Sequence, residues 1–175
     1  VISLNIALTV MRFGSLSTRT THPSFMGLLQ KLLTELGLDI SLINPFQMKT
    51  KGEMMKDCKD LDYLNSHYQY TLSCSHPDQG RWTGEDAGHC GECLPCTIRR
   101  AAIKAAGLTD ASTYRHNYDT DTGARDLKSY KLGLSTPKDS YAAIQMSGPI
   151  TERHNEYVRL YEEGLKELKS FIDTI

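Results

Sequence analysis

Four cysteine residues with short, regular spacing are the strongest chemical signal in this sequence. Cys90, Cys93 and Cys96 follow one another at two-residue gaps, and fifteen residues separate Cys74 from Cys90. Thiolates at such spacing can converge on one ion, because zinc takes four sulfur ligands at about 2.3 Å in a tetrahedral shell. Four thiolates fill that shell, whereas a catalytic zinc keeps one position open for water. The pattern therefore predicts a structural zinc site.

Two alternatives to a four-cysteine zinc site stay open from the residues alone. An iron–sulfur cluster is the first, because the bacterial motif also begins with cysteines two residues apart. That motif continues to a fourth cysteine where this sequence has Arg100. The second is a histidine ligand, His76 or His89, in place of one thiolate, although a histidine beside a metal site more often supports a ligand than acts as one.

A capping-box pattern predicts a short helix with a lysine at its start. Thr50 and Glu53 stand at the spacing that allows mutual capping, so we expect a helix over residues 51–58. Lys51 in the first turn opposes the helix dipole, which favours a phosphate partner for its ammonium group. The alternative is a solvated surface lysine.

A polar segment before the first predicted helix is a second candidate for anion binding. It contains Arg19, Thr20 and His22 among several other hydroxyl and basic residues. Hydroxyls and a guanidinium near a helix start can bind an anion, because the free N–H groups there favour negative charge. The alternative is that Thr21 or His22 only caps the helix, with Pro23 in its first turn.

The elements expected around these residues belong to the α/β class. Apolar residues alternate over 1–9, which predicts a strand, and a one-sided apolar stripe predicts a helix over 24–36 that packs on a core. Residues 38–44 are again typical of a strand. Helix and strand in alternation predict an α/β layer.

The second half of the chain is expected to be helical at two places. Residues 75–89 have the composition of a loop, and residues 97–106 form a strong helix pattern directly after the last cysteine. Residues 108–147 are polar and weakly patterned, and within them Asp119-Thr120-Asp121-Thr122-Gly123 indicates a turn rather than a calcium-binding loop. From residue 151 the apolar spacing predicts a long terminal helix.

Composition limits the partners and the compartment. Lys and Arg total 20 against 21 for Asp and Glu in 175 residues, so no overall field recruits nucleic acid or anionic lipid. No apolar run approaches the ~20 residues that span a bilayer. The five cysteines are not distributed as a disulfide framework, which favours a reducing, cytoplasmic location. The start at Val1 leads us to expect a portion of a longer protein.

Four short motifs, in order and spacing, resemble the C-terminal half of the 7-cyano-7-deazaguanine synthase (QueC) family over about residues 15–107. They are Asn44-Pro45-Phe46, Lys51-Gly52-Glu53, Thr71-Leu72-Ser73-Cys74 and Cys90-Gly91-Glu92-Cys93-Leu94-Pro95-Cys96-Thr97-Ile98-Arg99. The stretches at 15–23 and around 147–149 look closer to the QueC-like proteins of antiphage defence operons (QatC-type). Where the biosynthetic enzymes have Pro-Asp-Cys-Arg, this chain has Thr-His-Pro-Ser at 21–24.

The resemblance implies an adenine-nucleotide α-hydrolase-like (PP-loop ATPase) fold. Residues 1–107 would be the C-terminal part of that α/β domain, with the zinc-bound cysteines at 74–96, and residues 108–175 a family-specific extension ending in a long helix. It also implies an ATP-dependent C–N ligase, in which ATP with magnesium activates a 7-deazaguanine carboxylate as an acyl-adenylate for capture by ammonia or an amine. The Ser-Gly-Gly-x-Asp-Ser loop that holds pyrophosphate in such enzymes is absent here, so we expect it on a PP-loop segment before Val1.

Roles for individual residues follow from the same resemblance. The four cysteines would bind zinc, Lys51 would contact the phosphates of ATP, and Arg99 would stabilise developing negative charge. Arg19, Thr20 and His22 would receive the carboxylate or base of the substrate. The partners implied are the PP-loop segment, the deazaguanine and, in a defence operon, a co-encoded protein. A different function is also open, namely a non-catalytic, zinc-bound docking module for such a defence protein.

Overall fold

The computed structural model describes residues 21–175, and this part of the chain is helical. The strand expected over residues 1–9, together with Arg19 and Thr20, lies outside the described residues. The α-helices, numbered in chain order, are α1 Pro23–Glu35, α2 Lys51–Lys56, α3 Leu61–His67, α4 Leu94–Ala105, α5 Asp121–Ser135, α6 Ser140–Met146 and α7 His154–Ile172. Two 3-10 turns, Tyr68–Tyr70 and Arg81–Thr83, complete the regular structure of residues 21–175.

The predicted helices are confirmed close to their expected positions. Helix α1 begins at Pro23 and α2 at Lys51, α4 begins three residues before the pattern at 97–106 and overlaps it, and α7 falls within the pattern that starts at residue 151. The loop between the first two cysteines is present, and it contains the 3-10 turn Arg81–Thr83.

The strand expected over residues 38–44 is not formed. This segment is irregular. Its backbone groups are bound by the side chain of Gln30, where a strand would have bonded to a neighbouring strand. The Gln30 amide donates to the Ile40 carbonyl at 2.8 Å and its oxygen accepts from the Leu42 N–H at 2.7 Å. Within residues 21–175 the one β-type pairing is an isolated parallel bridge between His89 and Tyr114. The α/β class is therefore not confirmed by the described residues.

Two further helices, α5 and α6, lie in the weakly patterned residues 108–147, and α5 begins within the predicted turn. Helix α5 buries Gly123 and Tyr130, and α6 buries Ile144. Asp139 caps α6 by accepting from the backbone N–H groups of Tyr141 and Ala142. With so few buried positions, neither helix shows the continuous apolar stripe by which a surface helix is recognised.

The described chain divides into two compact units. The first comprises residues 21–50 and 136–165. Its core is a cluster of buried side chains from α6, α7 and the turn between them: Ile144, Ile150, Tyr157, Leu160 and Tyr161. In the same unit the apolar side of α1 is exposed rather than packed on a core, with Leu28 69 % and Leu36 64 % exposed.

The second unit comprises residues 51–135 and 166–175 and contains all four cysteines of the predicted metal site. Helix α2 packs against α4, and α4 buries Ala101, Ala102 and Ile103. The end of α7 contributes buried apolar side chains to this unit, and the Lys104 ammonium donates to the Ser170 carbonyl at 2.6 Å. None of the helices described in either unit has the length and apolar character needed to cross a membrane.

Candidate metal centre

Short local structures bring the four cysteines together. Cys90 follows the His89–Tyr114 bridge, Cys93 is the N-cap residue of α4, and Cys96 lies in the first turn of that helix. Between them Gly91 has φ +93°, and a Cβ at this position would lie 2.0 Å from the His116 carbonyl oxygen. Only glycine fits this close approach, which turns the chain so that its thiols point to a common centre.

The sulfur atoms have the separation that one tetrahedral ion requires. Cys74, Cys90, Cys93 and Cys96, called the cysteine cluster below, have ligand atoms that all lie within 4.8 Å of one another. The Cys74–Cys93 and Cys90–Cys96 sulfur pairs are each 3.9 Å apart. A tetrahedron with metal–sulfur bonds of about 2.3 Å has edges of about 3.8 Å. The residues therefore fit a single metal ion bound by four thiolates.

Backbone N–H groups point at the sulfur atoms and stabilise negative charge there. The N–H groups of His76 and Cys90 each lie 3.3 Å from the Cys74 sulfur, and that of Ser75 lies 3.4 Å from the Cys93 sulfur. The Cys93 N–H lies 3.4 Å from the Cys90 sulfur. Such donors favour thiolates, the form in which cysteine binds metals.

The ionisation of the thiols reflects their mutual contacts. A hydrogen bond from the Cys96 thiol, the largest influence, lowers the pKa of Cys93 to about 4, whereas burial raises the pKa of Cys90 to about 11. The bond to Cys93 and burial also raise the pKa of Cys96. Four thiols this close cannot all ionise without a cation between them, so the arrangement favours a bound metal ion.

The two histidines near the cluster are not part of the group that could hold the ion. Among the described residues that group consists of the four cysteines. The His89 ring lies against the cluster, with Nε2 3.1 Å from the Thr71 carbonyl and Nδ1 4.0 Å from the Cys96 sulfur. His89 thus lies beside Cys96, where a histidine could support a metal ligand without binding the ion itself.

Glu92, between two of the cysteines, ties the cluster to the start of α5. Its carboxylate accepts from the Thr120 backbone N–H at 3.1 Å and from the Thr120 hydroxyl at 2.5 Å. A Cβ on Gly123 would lie 2.2 Å from that carboxylate, so glycine is needed for the approach. Sequence reasoning missed this role of Glu92, because its partner lies twenty-eight residues away.

A single arginine holds the loop between Cys74 and Cys90. The Arg115 guanidinium donates to the Glu85 carboxylate at 2.7 Å. It also donates to three backbone carbonyls of the loop, those of Pro77, Asp86 and Gly88. Several hydrogen bonds from one planar guanidinium group restrain the conformation of the loop. Trp82, 93 % exposed, lies on that loop.

Arg99, which the family resemblance placed at the site, is buried in a network of hydrogen bonds. Its Nη1 donates to the Thr71 hydroxyl at 2.8 Å and its Nη2 to the Tyr68 carbonyl at 2.7 Å. Its Nε and Nη2 reach the Ser112 hydroxyl at 3.3 and 3.0 Å. These bonds connect α4 to the segment that leads into Cys74, so Arg99 positions the first cysteine of the cluster.

Lys51 is a half-buried cation at the start of α2. Burial, first, and the positive charge of Arg99, second, both lower its pKa from 10.5. Both influences disfavour the charged form of Lys51. An anionic ligand would stabilise that form, so the position favours anion binding.

His22 is buried in the first unit and is the N-cap residue of α1. Its Nδ1 accepts from the Ser24 N–H at 3.2 Å, and Pro23 opens the helix. His22 therefore caps α1, and the anion-binding role of Arg19, Thr20 and His22 stays a prediction.

Comparison with known proteins matches the region that contains the cluster. A family model described as "Queuosine biosynthesis protein QueC" matches residues 20–107. A 7-cyano-7-deazaguanine synthase of Ectopseudomonas mendocina (strain ymp) is 31 % identical over 86 residues, which are 47 % of this chain and 34 % of that protein. The chain thus matches about a third of the length of this curated relative. No solved structure matches the chain.

The family match covers half of the 175 residues and ends at residue 107, just after α4. It includes the whole cysteine cluster, α1, α2 and the Arg99 side chain with its partners Tyr68 and Thr71. On these grounds the chain belongs to the QueC family.

Proposed function

We propose that this chain is the metal-binding, C-terminal portion of an ATP-dependent ligase that acts on a 7-deazaguanine carboxylate. The carboxylate attacks the α-phosphate of ATP, which releases pyrophosphate and leaves an acyl-adenylate. Ammonia or an amine then attacks the acyl carbon, so that a C–N bond forms and AMP leaves. The observation that carries the proposal is the family match over residues 20–107, which contains both the cysteine cluster and Lys51.

Zinc is the proposed metal of the cysteine cluster. Four thiolates fill its tetrahedral shell, so no position is open for water or substrate and the ion supplies folding energy rather than chemistry. The 3.9 Å sulfur pairs support one ion, because an iron–sulfur cluster places several iron atoms between its thiolates.

Lys51 is the proposed contact to the phosphates of ATP, with its magnesium. A cation that is half-buried beside a second cation gains most from a polyanion, because the ligand relieves both the burial cost and the repulsion. The charge of Arg99 adds to the positive potential at Lys51, while the Arg99 N–H groups stay bonded to Thr71, Tyr68 and Ser112 and do not contact the ligand. Preorganised charge of this kind stabilises the transition state of phosphoryl and acyl transfer.

The proposed recognition of the deazaguanine belongs to the segment that enters α1, with Arg19 and Thr20 as contacts. His22 contributes by holding the end of that segment, since its ring is buried. The proposed partner for the exposed side of α1 is the PP-loop segment of the same protein. Leu28, Leu32 and Leu36 present 69 %, 50 % and 64 % of their surfaces, and burying them against another α/β layer would be favourable.

The function is tested by ATP turnover of the complete protein with 7-carboxy-7-deazaguanine. We expect release of pyrophosphate that depends on this carboxylate, and its loss in Lys51→Met with unchanged metal content. Lys56→Met is the matched control, because Lys56 is an exposed lysine on the same helix. Carboxylate-independent turnover, or full turnover in Lys51→Met, would remove the proposed reaction or the proposed role of Lys51.

A second candidate function is a non-catalytic docking module for a co-encoded antiphage defence protein. The observation that favours it is Trp82, which is almost fully exposed on a loop that Arg115 holds rigidly. Tryptophan is enriched among residues that dominate protein interfaces. A complete protein with bound metal but no ATP turnover would favour this function.

A further inference from the structure

A cavity of about 500 Å³ lies beside the last turns of α4. It is lined by α4, by the segment that follows this helix and by the end of α7, all of which belong to the second compact unit. The lining residues that matter here are two cations, one carboxylate and two aromatic rings: Arg100, Lys104, Asp110, Tyr114 and Phe171. Its volume lies in the range of pockets that hold small organic ligands. The proposed function uses none of these five residues.

Arg100 places a positive charge at a fixed position in this lining. Its guanidinium carbon lies 4.9 Å from the ring centroid of Tyr114 and 4.9 Å from that of Phe171. Its Nη2 donates to the Asn117 side-chain oxygen at 2.7 Å, and its Nη1 lies 3.4 Å from the Gly91 carbonyl. Both acceptors are neutral. The guanidinium therefore keeps its charge and further N–H donors for a ligand.

Lys104 adds a second cation one helical turn further along α4. Residues four positions apart lie on the same face of a helix, where like charges repel each other. The Lys104 ammonium is exposed, and it donates to the Ser170 carbonyl at 2.6 Å, which is again a neutral acceptor. An anion between Arg100 and Lys104 would relieve the repulsion between them.

The acceptors around the cavity, in contrast, are already bonded. The described lining contains one carboxylate, that of Asp110. Its two oxygens accept from the Ser112 N–H at 3.0 Å and from the Tyr114 hydroxyl at 2.9 Å. The carbonyls of residues 103 and 104, at the end of α4, accept from backbone N–H groups of the segment that follows. The groups that remain for a ligand are donors, and the charged side chains of the lining have a positive sum.

We propose that this cavity binds a small anion that carries an aromatic ring. Arg100 and Lys104 bind the anionic group, because a guanidinium can donate two parallel N–H bonds to a carboxylate or phosphate. The ring of the ligand packs against Tyr114 and Phe171. These two rings lie beyond residue 107, where the family match ends, and Lys51 does not line the cavity. The proposal therefore does not rest on the proposed function.

The test is calorimetric titration of the complete protein with phenyl phosphate and with inorganic phosphate, which lacks the ring. We expect phenyl phosphate to bind about tenfold more tightly than inorganic phosphate, and Lys104→Met to weaken its binding about tenfold. Lys128→Met is the matched control, because Lys128 is an exposed lysine of the same unit that does not line the cavity. Equal binding of the two phosphates would overturn the role of the ring. Equal binding of phenyl phosphate to the two variants would overturn the site.

Two further titrations identify the source of such a ligand, since a nucleotide and the deazaguanine carboxylate share its chemistry. AMP and 7-carboxy-7-deazaguanine are titrated into Lys51→Met protein, which lacks the proposed ATP contact, with and without Lys104→Met. A tenfold loss of affinity for AMP assigns the cavity to a nucleotide, and the same loss for the other probe assigns it to the deazaguanine. No loss with any of the three ring-bearing probes would overturn the proposal, whether or not the complete protein turns over ATP.

Discussion

The sulfur atoms of the cysteine cluster are surrounded by backbone atoms of the same chain. The sulfur atoms of Cys74, Cys90 and Cys93 receive backbone N–H groups. Such contacts depend on backbone geometry more than on the neighbouring side chains. The glycine that permits the geometry should therefore be as sensitive as the ligands.

Gly91→Ala should destabilise the folded chain by about 3 kcal/mol or more, because the new Cβ would meet the His116 carbonyl at 2.0 Å in a backbone with φ +93°. Chemical denaturation measures the free energy of unfolding. Gly27→Ala is the control: Gly27 lies inside α1, a Cβ added there would have no neighbouring atom within 4 Å, and alanine should stabilise by about 0.5–1 kcal/mol. Equal effects of the two changes would contradict the account of Gly91.

Lys51→Met should make the chain more stable at neutral pH while it removes the proposed ATP contact. The pKa of Lys51 is lowered in the folded state, so below that lowered value the charged lysine disfavours folding by a constant amount, and unfolding takes up a proton only between the folded-state pKa and 10.5. This penalty disappears as the pH rises toward 10.5, and the variant's advantage should disappear with it. Thermal unfolding at several pH values, with Lys56→Met as control, measures the difference. A variant less stable than the wild type at neutral pH would show that Lys51 makes net favourable contacts.

At the scale of the elements, α5 depends on the carboxylate of Glu92, which lies between Cys90 and Cys93 in the chain. Glu92 accepts from the Thr120 N–H and hydroxyl immediately before the helix begins at Asp121. A carboxylate at a helix N-terminus satisfies an otherwise unpaired donor and complements the dipole.

Glu92→Ala should therefore cost about 1–3 kcal/mol and loosen the first turn of α5. Hydrogen exchange of the amides near Gly123 measures the loosening, and denaturation measures the cost. Glu152→Ala, at an exposed glutamate, should change neither quantity. Unaltered exchange at the start of α5 in Glu92→Ala would mean that the helix is held by other contacts.

The elements also show what a sequence can and cannot predict. The four-cysteine cluster and α7 were predictable, because close cysteine spacing and a long apolar stripe are local patterns. Helix α5 was not, because it buries only Gly123 and Tyr130 and the Glu92 carboxylate that binds Thr120 lies twenty-eight positions earlier, although Thr120 also caps the Gly123 N–H locally. The strand predicted over 38–44 rested on a side-chain pattern, which does not show what the backbone bonds to. In the structure the Gln30 side chain binds the backbone of this segment. The contacts of Arg99 with Tyr68 and Ser112 are likewise tertiary.

At the scale of the whole molecule, the family match and the compact units follow different boundaries. The match covers residues 20–107, whereas each unit contains residues from both sides of position 107. The hydrogen bond between His22 and Ser147 crosses these boundaries, because His22 lies inside the matched region and Ser147 lies outside it. Removal of residues 108–175 should therefore not leave an intact family domain.

We propose that the cysteine cluster is a structural zinc centre with a single ion, and the metal content of the protein under native conditions tests this proposal. Native mass spectrometry with elemental analysis should find about one zinc per chain, and Cys93→Ser should lose the metal and melt at a lower temperature, since the ion supplies folding energy. Metal-free protein with unchanged melting temperature would contradict the claim, as would several iron atoms with sulfide.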